Sequence, residues 1–230
     1  MSRAGNCVQC DNATMNAIHP ASSGCPPVTD SCADVPVSYG PCVDPCAPAG
    51  PLAHLPHDLH IFLVGMMGAG KTTIGRSLAR ALGRPFVDLD HELEARCGVR
   101  VPVIFEIEGE PGFRKREALA LAECTQRRAI VLATGGGAVL ADENRRHLHD
   151  RGVVLYLSAS VDELYRRTCR DRNRPLLATA DPRGTLASLL SQRDPLYREV
   201  AHLVVETGCV PVSSLVRGLL PKLIAFEKPE

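Results

Sequence analysis

No surplus of charge is available to this chain. Its 26 basic and 26 acidic side chains cancel, so there is no global field to hold a polyanion or an anionic membrane, and both nucleic acid and membrane are excluded as partners on that ground. Anion binding has to be local. Long hydrophobic runs are also missing. The longest uncharged apolar stretch in the part expected to fold, Ala129 to Ala141, is too short to span a bilayer and contains three glycines. The N-terminus lacks the apolar core of a signal peptide, so the expected location is the cytoplasm, where cysteines stay reduced. No long unmatched apolar helix face is evident, and a monomer is expected.

The first 56 residues have no apolar periodicity of either 2 or 3.6. They hold six of the ten cysteines (Cys7, Cys10, Cys25, Cys32, Cys42 and Cys46), nine of the 18 prolines, one arginine and four aspartates. Such a segment cannot offset its chain entropy by burial, and residues 1–56 are expected to be a disordered extension or translated upstream sequence. Cys7-x-x-Cys10 with Cys42-x-x-x-Cys46 has half-site spacing for zinc, but no hairpin pattern flanks it. Residues 57–230 form the second part, with 25 basic and 22 acidic groups, a balance of +3.

Those residues alternate in character. Strand-like runs at His60 to Val64, Phe86 to Asp88, Ala129 to Ala133, Val153 to Leu157 and Leu203 to Val205 are mostly aliphatic throughout, as suits strands covered on both faces. Helical patterns lie between them, for instance Ile74, Leu78, Ala81 and Leu82, which place one apolar stripe against a sheet. The expected fold is α/β, a helix-flanked parallel sheet with its ligands beyond the carboxyl ends of the strands.

Gly65-Met66-Met67-Gly68-Ala69-Gly70-Lys71-Thr72 satisfies the G-x-x-x-x-G-K-[ST] pattern between a strand and a helix. Glycines let the backbone wrap so that its N–H groups converge on phosphate oxygens, and the helix N-terminus adds partial positive charge. Gly68, Ala69, Gly70, Lys71, Thr72 and Thr73 form the expected nucleotide-binding set. Lys71 would reach the β and γ phosphates, and Thr72 would place its hydroxyl on Mg²⁺. The loop names a donor and leaves the acceptor open, since gluconate and nucleoside-monophosphate kinases share it.

Three further segments bear on the acceptor. Asp88 and Asp90 end the second strand, where one carboxylate can hold a metal-bound water and the other can orient or deprotonate a hydroxyl; Asp90 as a plain helix N-cap is the alternative. Gly109, Pro111 and Gly112 separate two helices and leave Arg114 at a helix start, a place for a cation that meets an anion. Glu117, one turn on, can aim it, or the two can be an ordinary solvated ion pair. After the third strand comes Thr134-Gly135-Gly136-Gly137, where backbone can approach a ligand closely. Arg166, Arg167, Arg170, Arg172 and Arg174 precede a proline stretch; the first three read as a solvated helix face and Arg174 as part of a mobile basic lid over ATP.

Together these motifs resemble the shikimate kinase family. The GMMGAGKTT loop, the FVDLD strand end, IFEIEGEPGFRKRE, TGGG, RNRPLL and RDPLYREVA run in the family's order over about residues 59–226. The resemblance implies a three-layer P-loop kinase fold with a five-stranded parallel sheet of order 2-3-1-4-5, and transfer of the γ-phosphoryl group of ATP, with Mg²⁺, to the 3-hydroxyl of shikimate in aromatic amino-acid biosynthesis. It implies Lys71 and Asp90 as the catalytic pair, Asp90 taking the substrate hydroxyl, and Asp88 holding metal through water. Arg114 and Arg193 would grip the carboxylate, Gly136 and Gly137 would offer backbone to the ring substituents, and Arg174 would reach the nucleotide. The chain departs from some family members in Thr207-Gly208-Cys209-Val210-Pro211, which has no basic residue to place near the adenine.

Overall fold

The computed structural model of the chain describes residues 59–169, 177, 179–208 and 210–226. The extension expected over residues 1–56, with its zinc spacing, lies outside the described residues, as do Arg170, Arg172, Arg174 and Cys209. Strands β1 (His60–Val64), β2 (Phe86–Asp88), β3 (Val131–Ala133), β4 (Gly152–Ser158) and β5 (Leu203–Glu206) form one parallel sheet in the order β2-β3-β1-β4-β5. Helices α1 (Lys71–Leu82), α2 (Leu89–Cys97), α3 (Val101–Cys124), α4 (Asp142–Arg151), α5 (Val161–Thr168), α6 (Pro182–Val200) and α7 (Val212–Ile224) flank it.

Burial follows strand position. Ile61 to Val64 of β1, all of β3, and Val153 to Leu157 of β4 are buried. That is why their sequences carry no polar alternation. Each fully buried Leu, Ile or Val there contributes about 1.5–3 kcal/mol of transfer free energy. The edge strands differ: β2 is half-buried, and β5 alternates between half-buried and exposed, leaving Val204 open. Strand β3 starts two residues later than its aliphatic run suggests, because Ala129 adopts a left-handed conformation (φ 49°) that ends the preceding turn. On α1, Ile74 and Leu78 are buried, with Ala81 and Leu82 packed against the same core.

The order of strands positions the site. The chain leaving β1 crosses to β2 at one edge, while the chain leaving β3 passes to β4 on the far side of β1. The loops after β1 and β3 therefore open on one crevice at the carboxyl ends of neighbouring strands. The third contributor is α3, whose helical geometry is broken at Gly109 (φ 69°, ψ −177°) just before Pro111. The second helical segment starts beyond that break, with Arg114 in its first turns. Among the described residues, no helix is long and apolar enough to cross a membrane.

Candidate active site

The phosphate loop leaves β1 at Gly65 and enters α1 at Lys71. Gly68 (φ 80°) and Gly70 (φ 95°) hold conformations that a side chain disfavours. Gly70 is also the N-cap of α1, with no side-chain cap and no acidic residue in the first turn. The leading N–H groups of α1 are thus left for an anion. In this conformation Lys71 Nζ donates to the carbonyls of Gly65 (2.8 Å) and Met66 (3.0 Å). A cavity of about 420 Å³ opens here, lined by Gly68, Gly70, Lys71, Thr72, Thr73 and Asp88 among others. Ala69 is apart from the rest of the expected set: its side chain is fully buried and its N–H donates to the Met66 carbonyl.

The Thr72 hydroxyl donates to Asp88 Oδ2 at 2.8 Å. Asp88 ends β2 and is itself the N-cap of α2, its Oδ1 accepting from the Asp90 backbone N–H at 3.2 Å. The helix-capping alternative therefore belongs to Asp88, while Asp90, in the first turn of α2, lines the phosphate cavity. Among the described residues no group of three or more His, Cys, Asp and Glu could hold a metal. What the chain offers is one hydroxyl and one carboxylate side by side. Two hard oxygen donors fit a small divalent cation that keeps most of its shell as water and phosphate oxygen.

A second cavity, of about 180 Å³, lies beside the first and is lined by Asp90, Arg114, Glu117, Gly136, Gly137 and Arg193, with Phe105 and Phe113 on its apolar wall. The two rings pack with centroids 4.5 Å apart. Arg114 donates from Nη1 to Glu117 Oε2 at 2.6 Å, and from Nε and Nη2 to Glu110 Oε1 at 3.2 and 3.0 Å. Three of its five N–H donors are engaged, leaving two. The pair with Glu117 is not the solvated surface contact that its i, i+3 spacing allows. The Glu117 side chain is 1% exposed and Arg114's 22%. Burial opposes the Arg114 charge, but Glu117 and Glu110 hold its pKa above the ordinary arginine value. Burial pushes the Glu117 carboxyl up, and Asp90 adds to this against the pull of Arg114 and Arg193. The second Glu117 oxygen, Oε1, is buried with no hydrogen-bond partner among the described residues.

The TGGG turn is shaped by these neighbours. Thr134 ties it to β1, its backbone N–H and hydroxyl both donating to the Leu63 carbonyl at 3.1 Å. A methyl group on Gly135 would strike Glu117 Oε1, and one on Gly137 would overlap the Arg114 guanidinium. Gly137 thus makes room for a charged side chain in addition to any backbone role. From α6, buried Arg193 reaches the same cavity.

Of the expected residues, Asp90, Arg114, Gly136, Gly137 and Arg193 come together around one cavity, and Gly68, Gly70, Lys71, Thr72, Thr73 and Asp88 around the other. Arg174 lies outside the described residues. Two more residues belong here. Tyr197, buried on α6, donates its hydroxyl to the Gly136 carbonyl and stacks on Tyr156 with centroids 5.0 Å apart. Arg167 is exposed, as a solvated helix face implies, but unlike its neighbour Arg166 it is tied to loop carbonyls. It donates to the Thr207 carbonyl (2.7 Å), the Gly208 carbonyl (3.1 Å) and the Gly68 carbonyl (3.2 Å), while Glu163 pairs with it at 2.6 Å. It therefore supplies a cation to the loop that has none of its own, and lines both the phosphate cavity and an adjoining one of about 260 Å³ bounded by Thr73, Thr207, Gly208 and Val210.

The model of the shikimate kinase family matches residues 67–223. The chain is 78% identical over 178 residues to the shikimate kinase of Bordetella avium, covering 77% of this chain and 85% of that protein. To the shikimate kinase of Bordetella pertussis it is 74% identical over 183 residues, covering 80% and 87%. Among solved structures it resembles the shikimate kinase of Acinetobacter baumannii in complex with shikimate, with a TM-score of 0.71 at 51% identity over 73% of this chain and 93% of that one.

Proposed function

The chain belongs to the shikimate kinase family, and from that premise we propose that it transfers the γ-phosphoryl group of ATP to the 3-hydroxyl of shikimate, giving shikimate 3-phosphate and ADP on the route to chorismate and the aromatic amino acids. The observation that supports this best is that the two cavities share a wall. Met67, Asp90 and Gly136 line both, so an anion held by the phosphate loop and a hydroxyl held in the second cavity meet at Asp90. An acceptor with one carboxylate and several hydroxyls matches the second cavity, which sets two arginines against an aspartate, a backbone turn and an aromatic wall.

In the reaction, the 3-hydroxyl oxygen attacks the γ phosphorus in line as the bond to the β–γ bridging oxygen breaks. Asp90 accepts the hydroxyl hydrogen bond, orients the oxygen and takes up its proton. Lys71 exchanges the Gly65 and Met66 carbonyls for phosphate oxygens, while the open N–H groups of α1 and the loop hold the β phosphate. Arg114 and Arg193 fix the carboxylate, which sets the distance of the 3-hydroxyl from the donor. Gly136 and Gly137 present backbone to the ring substituents, and Tyr197 holds Gly136 in place. Arg167 contributes to the adenine side of the nucleotide, and Arg174 is assigned as a further nucleotide contact.

A kinase of this family uses a divalent cation with ATP. Magnesium is the ion we assign, with Thr72 as direct donor and Asp88 acting through water, where it would neutralise charge on the transferring phosphoryl group. The protein acts as a cytoplasmic monomer in this reading. Coupled ADP release with shikimate, gluconate and nucleoside monophosphates as alternative acceptors tests the assignment. Turnover is expected with shikimate alone, and Asp90→Ala should lower kcat by about 10²–10⁴-fold. Absence of shikimate-dependent turnover would refute it.

A further inference from the structure

The acceptor cavity has a third guanidinium at its mouth. Arg100 lines that cavity together with Glu94 and occupies the N-cap position of α3, in extended conformation (φ −74°, ψ 152°) and with no side-chain capping hydrogen bond. Capping is done by Glu94, whose Oε1 accepts from the Val101 N–H at 3.0 Å. A cation at a helix N-terminus is disfavoured by the helix dipole, so Arg100 gains nothing from the helix it begins. It gains nothing from a carboxylate either. Nearby Arg96, Arg114 and Arg116 are all paired with glutamates, whereas the exposed Arg100 side chain makes no hydrogen bond or ion pair among the described residues.

The charges around the cavity give this free cation a task. Its charged lining consists of Arg100, Arg114 and Arg193 against Asp90, Glu94 and Glu117. With all of them ionised the lining is neutral. Without Arg100 it is net negative, and an anionic acceptor would approach a like-charged opening. Arg193 is 4% exposed and Arg114 already holds two glutamates, so neither projects much positive potential outward. On the acceptor reading given above, we propose that Arg100 is an electrostatic capture residue for the substrate carboxylate. It draws the anion to the mouth of the cavity and hands it to Arg114 and Arg193. It takes no part in the phosphoryl transfer.

The test compares the unsubstituted chain with Arg100→Ala and Arg100→Lys across ionic strength, using shikimate and its uncharged methyl ester as acceptors. A charge within about one Debye length of the bound anion changes apparent affinity by about three- to tenfold at low salt and by less than about twofold near 0.5 M salt. Arg100→Ala should therefore raise KM for shikimate about three- to tenfold at low salt, with kcat and KM for ATP within about twofold, and the gap should close at high salt. Arg100→Lys should restore most of the loss, and the ester should not distinguish the three proteins. An unchanged KM for shikimate at low salt, a loss that persists at high salt or with the ester, or a fall in kcat instead of a rise in KM would each overturn the inference alone. No shikimate-dependent turnover in the unsubstituted chain would overturn the acceptor assignment and this inference with it.

Discussion

Gly137→Ala separates the stability of the turn from the aim of Arg114. The backbone at Gly137 has φ −103°, which alanine adopts without strain, and the loss of a flexible glycine favours the folded state by about 0.4–1 kcal/mol. The added methyl meets the Arg114 guanidinium, the far end of a flexible side chain. The collision is therefore relieved by swinging Arg114 out of its 2.6 Å pair with Glu117, and the fold survives. Acceptor binding should suffer: misplacing a group that makes charge-assisted hydrogen bonds costs about 1.5–3 kcal/mol, a KM for shikimate raised by roughly 10–150-fold. KM for ATP should stay within about twofold, because neither residue lines the phosphate cavity. Steady-state ADP release reads both constants. Unfolding is followed by circular dichroism, since the chain has no tryptophan, and the midpoint should move by less than about 2–4 °C, the shift that about 1 kcal/mol gives a folded part of this size. Arg114→Ala completes a double-mutant cycle. If the methyl acts through the guanidinium, adding Gly137→Ala to Arg114→Ala costs little more. Fully additive losses, or an unchanged KM for shikimate in Gly137→Ala alone, would refute the reasoning.

Two other outcomes follow from the same geometry. Arg167→Ala removes the side chain that bridges Gly68, Thr207 and Gly208; discounted for its partial exposure, the loss should raise KM for ATP by about 5–30-fold and leave KM for shikimate nearly unchanged, and equal effects on both substrates would contradict a nucleotide-side role. The pKa of Glu117 is raised in the folded state by burial, so its contribution to stability is fully present below the unfolded carboxyl value of about 4.3 and is lost as pH rises through the folded value. Glu117→Gln carries no such titration. The unfolding midpoint of the variant minus that of the unsubstituted chain should therefore climb as pH rises above the unfolded carboxyl value of about 4.3, and a flat or falling difference would show that Glu117 does not titrate from a buried site.

Much of the fold is legible because its signals are local. The runs for β1 and β2 match the strands at both ends and those for β4 and β5 to within one residue at each end, since unbroken apolar stretches such as Ile61 to Val64, bounded by turn residues, suit a strand covered on both faces. The exception, Ala129, is in the left-handed region, which no periodicity announces. Within the site, residues on strand ends and glycine turns are readable, because glycine and a preceding strand leave few conformations to choose from. Arg167 is not. Its residue type and i+4 distance from Glu163 fit a solvated helix face equally well, and only the return of the chain through β5 brings the Thr207 and Gly208 carbonyls to it. Tyr197 is similar: its partner carbonyl at Gly136 is 61 residues away. Spacing alone also left open whether Glu117 is a surface partner of Arg114. Packing against Gly135 and the absence of solvent decide it.

A chain with no net charge that handles two anions must make its positive potential locally and cancel it at short range. At the phosphate loop the work falls to backbone N–H groups and one lysine, whose charge rests on the carbonyls of Gly65 and Met66. The acceptor cavity follows the same rule with different groups. Arg114 is matched by Glu110 and Glu117, and Arg193 lies within the field of Glu117. Such pairing costs desolvation and adds little stability, but it fixes two guanidinium groups in place before the substrate arrives, so less ordering is left for binding to supply. It also hides their charge from solvent. Polyanions thus meet little of the charge of Arg114 and Arg193, while a small carboxylate that fits inside meets two aimed donors. On this account selectivity for a small polyhydroxy acid over larger anions comes from burying the cations, and it would be lost by exposing them just as surely as by removing them.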